Sequence, residues 1–397
     1  MTPALGENPE SRALSQSPWP PAGGAEDVDG GVTIDVRDLM SWAGRVGARA
    51  VLEDQGLPSG GWMLIDGSVD SWRRLSTQSE GDVVETNDFL RCLPLVVIAR
   101  VRGACSGAAT SLLSVADLVL AVDSTGYEGN SHLFADETRI EEELQGLLQA
   151  IQRRPQAAGY AAMAMRAAER VSLEHGLMVE RLTYAILQAG SEYHAWLRHR
   201  KASHVSVVHG SQPRVVVERD GDHVDVVLCR PERHNAVDHR MRDELIQAFR
   251  GLLLDDSVTS VSLRGQGPSF CSGGDIDEFS LPDPMESLAI RSARGLPSLV
   301  ARLGHRLTVH VHGACVGAGL ELAAFGGRVV ADPQTSFWLP EAGMGLIPGM
   351  GGTVSVPRRI GRGATMMMLL TERRLSAPQA LEIGLVDCIA EVGSPTW

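Results

Sequence analysis

From Gly31 onward, short apolar runs alternate with amphipathic stretches. "WMLIDG" (62–67) and "LVVIARVRG" (95–103) are brief, mainly apolar runs bounded by turn residues, the pattern of buried strands. "EEELQGLLQAIQRRP" places apolar residues at helical spacing and ends on Pro155. The stretch from Ala157 to Lys201 continues as helix, with breaks predicted near Gly176 and Gly190. A second cycle begins at "RVVVERDGDHVDVVLC", two strand runs joined by an Asp-Gly turn signal. "MRDELIQAFRGLLLDD" predicts an amphipathic helix and "VTSVSLRG" a buried strand. "FCSGGDIDEF" predicts a Gly-rich loop, "MESLAIRSARGLPSLVARLG" mostly helix, "LTVHVHG" a strand, and "GAGLELAAFGG" a helix entered from a Gly-rich turn. Strands alternating with helices imply an α/β fold. Residues 1–30 are rich in Pro, Gly, Ser and acids, too polar to offset the entropy of ordering, so a disordered tail is expected there.

The pattern repeats. "GACSGAATSLLSVADLVLAVD" from Gly103 returns as "GACVGAGLELAAFGGRVVAD" from Gly313, 210 positions later, and the preceding strands also pair off, "WMLIDG" with "SVSLRG". Two related units are therefore expected, 31–201 and 213–397, joined by a linker at 202–212. They differ in their acids. Ser111 stands where the second copy has Glu321, and Ser131 where it has Glu341. The first copy also lacks the "CSGGD" loop, so it is expected to be a scaffold that does not share the second copy's chemistry.

Composition narrows the function classes. A net charge of −13 argues against a nucleic-acid surface but leaves room for a local Arg cluster on an anion. Lys201 is the only lysine, which excludes Schiff-base chemistry elsewhere. None of the six cysteines forms a C-x-x-C pair. With neither a basic-then-apolar leader nor a bilayer-length apolar run, the expectation is a soluble cytoplasmic protein with no membrane partner.

Four features of the second half could carry chemistry. Two are Gly-rich turns, "FCSGGDIDE" and "CVGAGLE", which leave backbone N–H groups free; two such donors aimed at one point make an oxyanion hole. The others are Glu321, in the first turn of a helix, and Glu341, held between Pro340 and a Gly-rich segment. A pair of carboxylates around one water can take one proton and deliver another. His305, His310 and His312 lie in or beside a strand pattern, and no metal-ligand spacing is present.

Arg214 to Glu391 resembles the crotonase (enoyl-CoA hydratase/isomerase) superfamily, on "RPERHNAV", "FCSGGDIDEF", "VHGACVGAGLELAA", "PEAGMGLIPGMGGT" and "SAPQALEIGLVD". The resemblance implies two crotonase-like ββα domains in tandem, the first degenerate, with a helical segment between them. It implies an acyl-CoA or carrier-bound acyl thioester as substrate, no cofactor beyond CoA itself, and a trimer-based homo-oligomer. It implies oxyanion donors at the Gly274 and Ala318 amides, and Glu321 and Glu341 as the acid/base pair of a hydratase. Arg230, Arg233 and His234 become candidates for the CoA phosphates, with Ala236 shaping that turn. Three departures stand out. Trp338 replaces a small residue near Glu341 and is expected to alter the acyl pocket, Asp277 stands where Lys is common, and Gly327 where Asp is common. Isomerase, decarboxylase or thioester hydrolase chemistry, or a non-catalytic acyl-CoA-binding scaffold, are the alternatives to hydration. The helices before Lys201 resemble those with which crotonases close their sites, so the first half is expected to complete the second.

Overall fold

Two six-stranded sheets organise the chain. The computed structural model describes residues 25–28, 31–40, 43, 61–122, 133–200, 212–279, 283–293 and 295–391. In the first sheet, β1 (Ala25–Val28) is antiparallel to β2 (Gly31–Asp35). The sheet continues in parallel through β3 (Trp62–Asp66), β4 (Val96–Arg102), β5 (Leu118–Val122) and β6 (Leu133–Ala135). β3 up to Ile65 and the Val96–Ala99 part of β4 are unbroken apolar runs because both faces of a parallel sheet are covered there. In the second sheet, β7 (Val215–Asp220) and β8 (His223–Leu228) form the predicted hairpin, with Gly221 at φ +61° in its turn. β9 (Ser260–Gly265), β10 (Leu307–Val311), β12 (Arg328–Ala331) and β15 (Cys388–Ile389) then follow in parallel. β11 (Ala314–Val316), β13 (Ser336–Trp338) and β14 (Leu375–Ser376) make a small third sheet.

Both large sheets thus open with a hairpin and add parallel strands in chain order. In each, β4 or β10 leads into a Gly-Ala-Cys segment, which in the second half enters β11, and then a short helix and the next parallel strand of the sheet follow. The helices are Gly107–Leu113 and Ala318–Ala323. In the first unit Asn87 Nδ2 donates to Ser111 Oγ at 3.1 Å, so the position matching Glu321 is closed by a neutral hydrogen bond.

The helical segment comprises Glu137–Arg153, Pro155–Ala168, Leu173–Gln188 and Ser191–His199. Pro155 ends one helix and occupies the first turn of the next, where its missing N–H costs nothing. The break expected at Gly176 lies earlier instead. Ser172 caps the third helix, and Gly176 sits inside it, where an added Cβ would come within 3.2 Å of Val354 and 3.3 Å of Ala168. That glycine serves close helix packing rather than chain reversal. Gly190 does stand at a helix start. The expected disordered tail is corrected at its end: Ala25–Val28 is a strand, because backbone pairing with Gly31–Ile34 needs no apolar side chains. Residues 1–24 and 29–30 lie outside the described residues, as do Ser131 and the linker residues 202–211.

The two halves share a core. One apolar cluster joins Val96, Ile98 and Leu118 of the first sheet, Ile140 to Met165 of the helices, and the interior of the second half. Polar groups reinforce the junction. Buried Asp117 accepts the Val97 N–H at 2.8 Å and stands 3.3 Å from Arg166 and 3.4 Å from Arg362. Arg362 also donates to the carbonyls of Ser114 and Ala116, just past the end of the Gly107–Leu113 helix. Gly327, the counterpart of Asp117, has no room for a side chain: a Cβ there would lie 2.7 Å from His305. Among the described residues, no helix is long and apolar enough to cross a membrane.

Candidate active site

The two Gly-rich turns meet. The loop after β9 is pinned by bridges from Cys271 to Cys315 and from Val237 to Gly274. Gly273, at φ +105°, takes a conformation that disfavours side chains, and a Cβ on it would sit 3.4 Å from the Val316 carbonyl and 3.9 Å from the Ala318 nitrogen. Gly319 packs so tightly on Cys271 that a Cβ would approach within 2.6 Å. These contacts bring Gly274 and Ala318 to one cavity of about 330 Å³, which Glu321 and Glu341 also line. Neither the Gly274 nor the Ala318 N–H meets an acceptor among the described residues. Ala318 opens its helix, where first-turn amides lack intrahelical partners.

The carboxylates differ in their partners. Glu321 is buried, and its Oε2 accepts N–H groups from Met350 at 2.6 Å and Gly352 at 2.8 Å. Glu341 is also buried, and its Oε2 has no hydrogen-bond partner among the described residues. Burial pushes the Glu321 carboxyl well above its ordinary range, with the charges of Glu341 and Glu180 adding to the shift and the two amides opposing it. Burial likewise pushes Glu341 up to about 8, with Glu180 and Glu372 adding repulsion.

A wall of the cavity comes from outside the second half. The Leu173–Gln188 helix contributes Glu180, Tyr184 and Gln188 at i, i+4 and i+8, one face of a helix, together with Arg181. Arg291, from helix Pro284–Ala293, lies with its guanidinium carbon 3.9 Å from the Tyr184 ring centroid and also lines the cavity. The sequence did not single out these residues. The one available signal was a polar stripe, Glu180, Tyr184 and Gln188, on a helix that otherwise buries Leu177 and Leu187.

The remaining sequence-predicted residues fall elsewhere. Arg230 is buried in a pair with Asp275 at 2.7 Å and donates to the Ala236 carbonyl at 2.8 Å. Arg233 is held by Asp277 and, at 3.3 Å, by Asp275. His234 Nδ1 lies 3.0 Å from Ser269 Oγ, and its backbone is left-handed at φ 50°. None of Arg230, Arg233, His234 and Ala236 lines the cavity; Val237, Asp238, His239 and Arg242, just beyond them, do. Asp277, which stands where Lys is common in the family, is gripped by Arg200 as well as Arg233 and ties the end of the helical segment to this loop. Trp338 does not reach the cavity either. On a strand successive side chains alternate, so Phe337 points into the core while Trp338 turns away and stacks under Arg374, 4.3 Å from the guanidinium carbon to the ring centroid. Of the histidines near this region, His312 Nε2 binds the Gly267 carbonyl at 2.8 Å, and burial lowers His310 to about 4. Among the described residues, no group of three or more His, Cys, Asp or Glu is arranged to hold a metal ion.

Residues 222–392 match the family model described as "Enoyl-CoA hydratase/isomerase". The chain is similar to a mitochondrial protein of Arabidopsis thaliana named "Probable enoyl-CoA hydratase 2", 32% identical over 44% of this chain and 58% of that protein. It is similar to the Enoyl-CoA isomerase/hydratase fer4 of Mycosarcoma maydis, 32% identical over 42% of this chain and 64% of that one. A solved enoyl-CoA hydratase from Mycobacterium smegmatis aligns at 31% identity over 45% of this chain and 70% of its own, with a TM-score of 0.42. The chain therefore spans under two thirds of the length of these curated relatives. Its segment 222–392, which carries the paired glutamates and both Gly-rich turns, belongs with the crotonase, or enoyl-CoA hydratase/isomerase, family.

Proposed function

We propose that this protein adds water across the double bond of an α,β-unsaturated acyl-CoA, or runs the reverse dehydration. One observation carries this reading: two buried carboxylates, Glu321 and Glu341, share a cavity with two unpartnered amides, Gly274 and Ala318. The amides would accept the thioester oxygen as negative charge builds on it, making Cβ electrophilic and Cα protonatable. Glu321 and Glu341 disfavour each other's charge, so the pair shares a proton; the two amide donors on Glu321 Oε2 favour placing the remaining negative charge there, to take a proton from water as its oxygen bonds to Cβ. Glu341, whose pKa of about 8 keeps it largely protonated at neutral pH, is suited to deliver a proton to Cα. The atoms of one water are accounted for, OH to Cβ and H to Cα.

For the CoA phosphates we favour Arg181, His239 and Arg242, which line the cavity, over Arg230 and Arg233, which do not; His239 is itself paired with Glu278 and Arg242 with Asp243. We read the first half as a degenerate copy of the second. The shared strand order and the Gly-Ala-Cys turns support this, as does Asn87 closing the position that matches Glu321.

The test is a panel of enoyl-CoA and 3-hydroxyacyl-CoA thioesters incubated with the full chain and followed by mass spectrometry, with Glu321→Gln and Glu341→Gln alongside. Interconversion abolished in both variants supports the reading. Turnover of another kind, or binding without turnover, refutes hydration and points to another reaction of the family or to a scaffold.

A further inference from the structure

Four consecutive amides, at residues 350 to 353, alternate between two carboxylates. Met350 and Gly352 donate to Glu321 Oε2, at 2.6 and 2.8 Å. Gly351 donates to Glu180 Oε1 at 2.7 Å, and Thr353 to Glu180 Oε2 at 2.9 Å, with its hydroxyl on the same oxygen at 2.7 Å. The turn is tight: Gly351 stands at φ +99°, and a Cβ on Gly352 would lie 2.6 Å from Glu321 Cγ. The two acids thus grip the start of the Gly352–Thr371 helix from opposite sides. Glu321 belongs to the Ala318–Ala323 helix of the second half, whereas Glu180 arrives from the Leu173–Gln188 helix, about a third of the chain length earlier in sequence.

We propose that Glu180 is a positioning residue for Glu321: by clamping Gly351 and Thr353 it holds the Met350 and Gly352 amides on Glu321 Oε2 and so aims that carboxylate into the cavity. The proposal deepens the hydratase reading and rests on it only for the role given to Glu321. The physical argument is one of rigidity. Two amide donors orient a carboxylate only if their own turn cannot swing, and a Gly-Met-Gly-Gly turn has little stiffness of its own. Three hydrogen bonds to one buried carboxyl group supply it. The alternative is that Glu180 merely caps the helix and adds stability without bearing on Glu321. The groups facing Glu180 are Glu321 and Glu341 across the cavity and Arg291 from the neighbouring helix. The negative charge of Glu180 therefore also bears on the pair, but the clamp does not depend on it.

The experiment compares wild type with Glu180→Gln and Thr353→Val, all as full chains. The Glu321 carboxyl band is read by infrared difference spectroscopy over a pH series and assigned with Glu321→Gln. Glu180→Gln is expected to move the band and the pH at which it titrates, because Gln can accept on one oxygen only. Thr353→Val, which removes one of the three donors, is expected to move it less and in the same direction. If wild type turns over an enoyl-CoA, Glu180→Gln should lower kcat about tenfold or more while KM stays within about threefold, the signature of a misaimed group rather than weakened binding. A Glu321 band unchanged in Glu180→Gln, with only a lower melting temperature, overturns the proposal. Should that variant not fold, an unchanged band in Thr353→Val overturns it equally. A shifted band in a protein inactive on every enoyl-CoA would instead sink the hydratase reading and leave the clamp standing.

Discussion

Replacing Glu341 by Gln tests the electrostatics of the site through stability as well as activity. The folded Glu341 carboxyl titrates near 8, against an ordinary value of 4.5, chiefly because burial disfavours its charged form. Between those pH values the unfolded chain has released this proton and the folded protein still holds it. The folded state therefore binds more protons, and stability must fall as pH rises from about 4.5 to about 8, then level off. Each pH unit of that gap corresponds to about 1.4 kcal/mol, so the full window is worth on the order of 3 to 5 kcal/mol, the lower end applying if Glu321 and Glu180 share part of the response. Gln carries no charge at any pH and escapes this loss. Urea unfolding of both proteins at steps from pH 4.5 to 9 measures it. Near pH 4.5 the midpoints should nearly coincide, and near pH 9 the variant should be the more stable by a few kcal/mol. The same variant should lose roughly a hundredfold to ten-thousandfold in turnover, the usual worth of a general acid. A stability difference that stays flat across the series would refute the reasoning, because it would mean that Glu341 titrates as an ordinary carboxyl.

Three further outcomes follow from single contacts. Gly317→Ala puts a Cβ 2.5 Å from Glu341 Oε1 at a residue with φ +46°, so the carboxylate must move; turnover should fall roughly a hundredfold, and near-wild-type kinetics would show that the site tolerates the shift. Arg362→Met leaves Asp117 with Arg166 alone and strips three carbonyls of their donor, for about 3 kcal/mol lost in urea unfolding; a change below about 1 kcal/mol would mean the junction relies on apolar packing. Residues 205–397 expressed alone lack Glu180, Tyr184 and the helix that covers the cavity, so they should be insoluble or inactive; a soluble, fully active fragment would show that the first half is dispensable.

The chain's local patterns carried most of the fold. The β7–β8 hairpin, the individual strands and the helices follow from apolar runs and turn residues, because those interactions act between neighbours in sequence. The approach of the two Gly-rich turns was also legible, since glycines at Gly273, Gly317 and Gly319 mark places where backbones nearly touch. Placing side chains was harder. Trp338 lies three residues from Glu341, but strand alternation turned it out of the cavity. Arg230 and Arg233 looked like free cations, yet Asp275 and Asp277, more than forty positions later, fold back and neutralise them.

By itself, then, the sequence determined the alternating α/β pattern, the second half's paired glutamates and the loops that free two amides, each set by residues within one or two turns of chain. Only the tertiary structure decided that Glu180, Tyr184 and Arg291 line the same cavity, that the halves share a core, and that two acids from distant segments grip one turn. The reason is burial. A carboxylate such as Glu180 reads as an ordinary helix-surface residue until another segment covers it, and what covers it is fixed by packing across the whole chain.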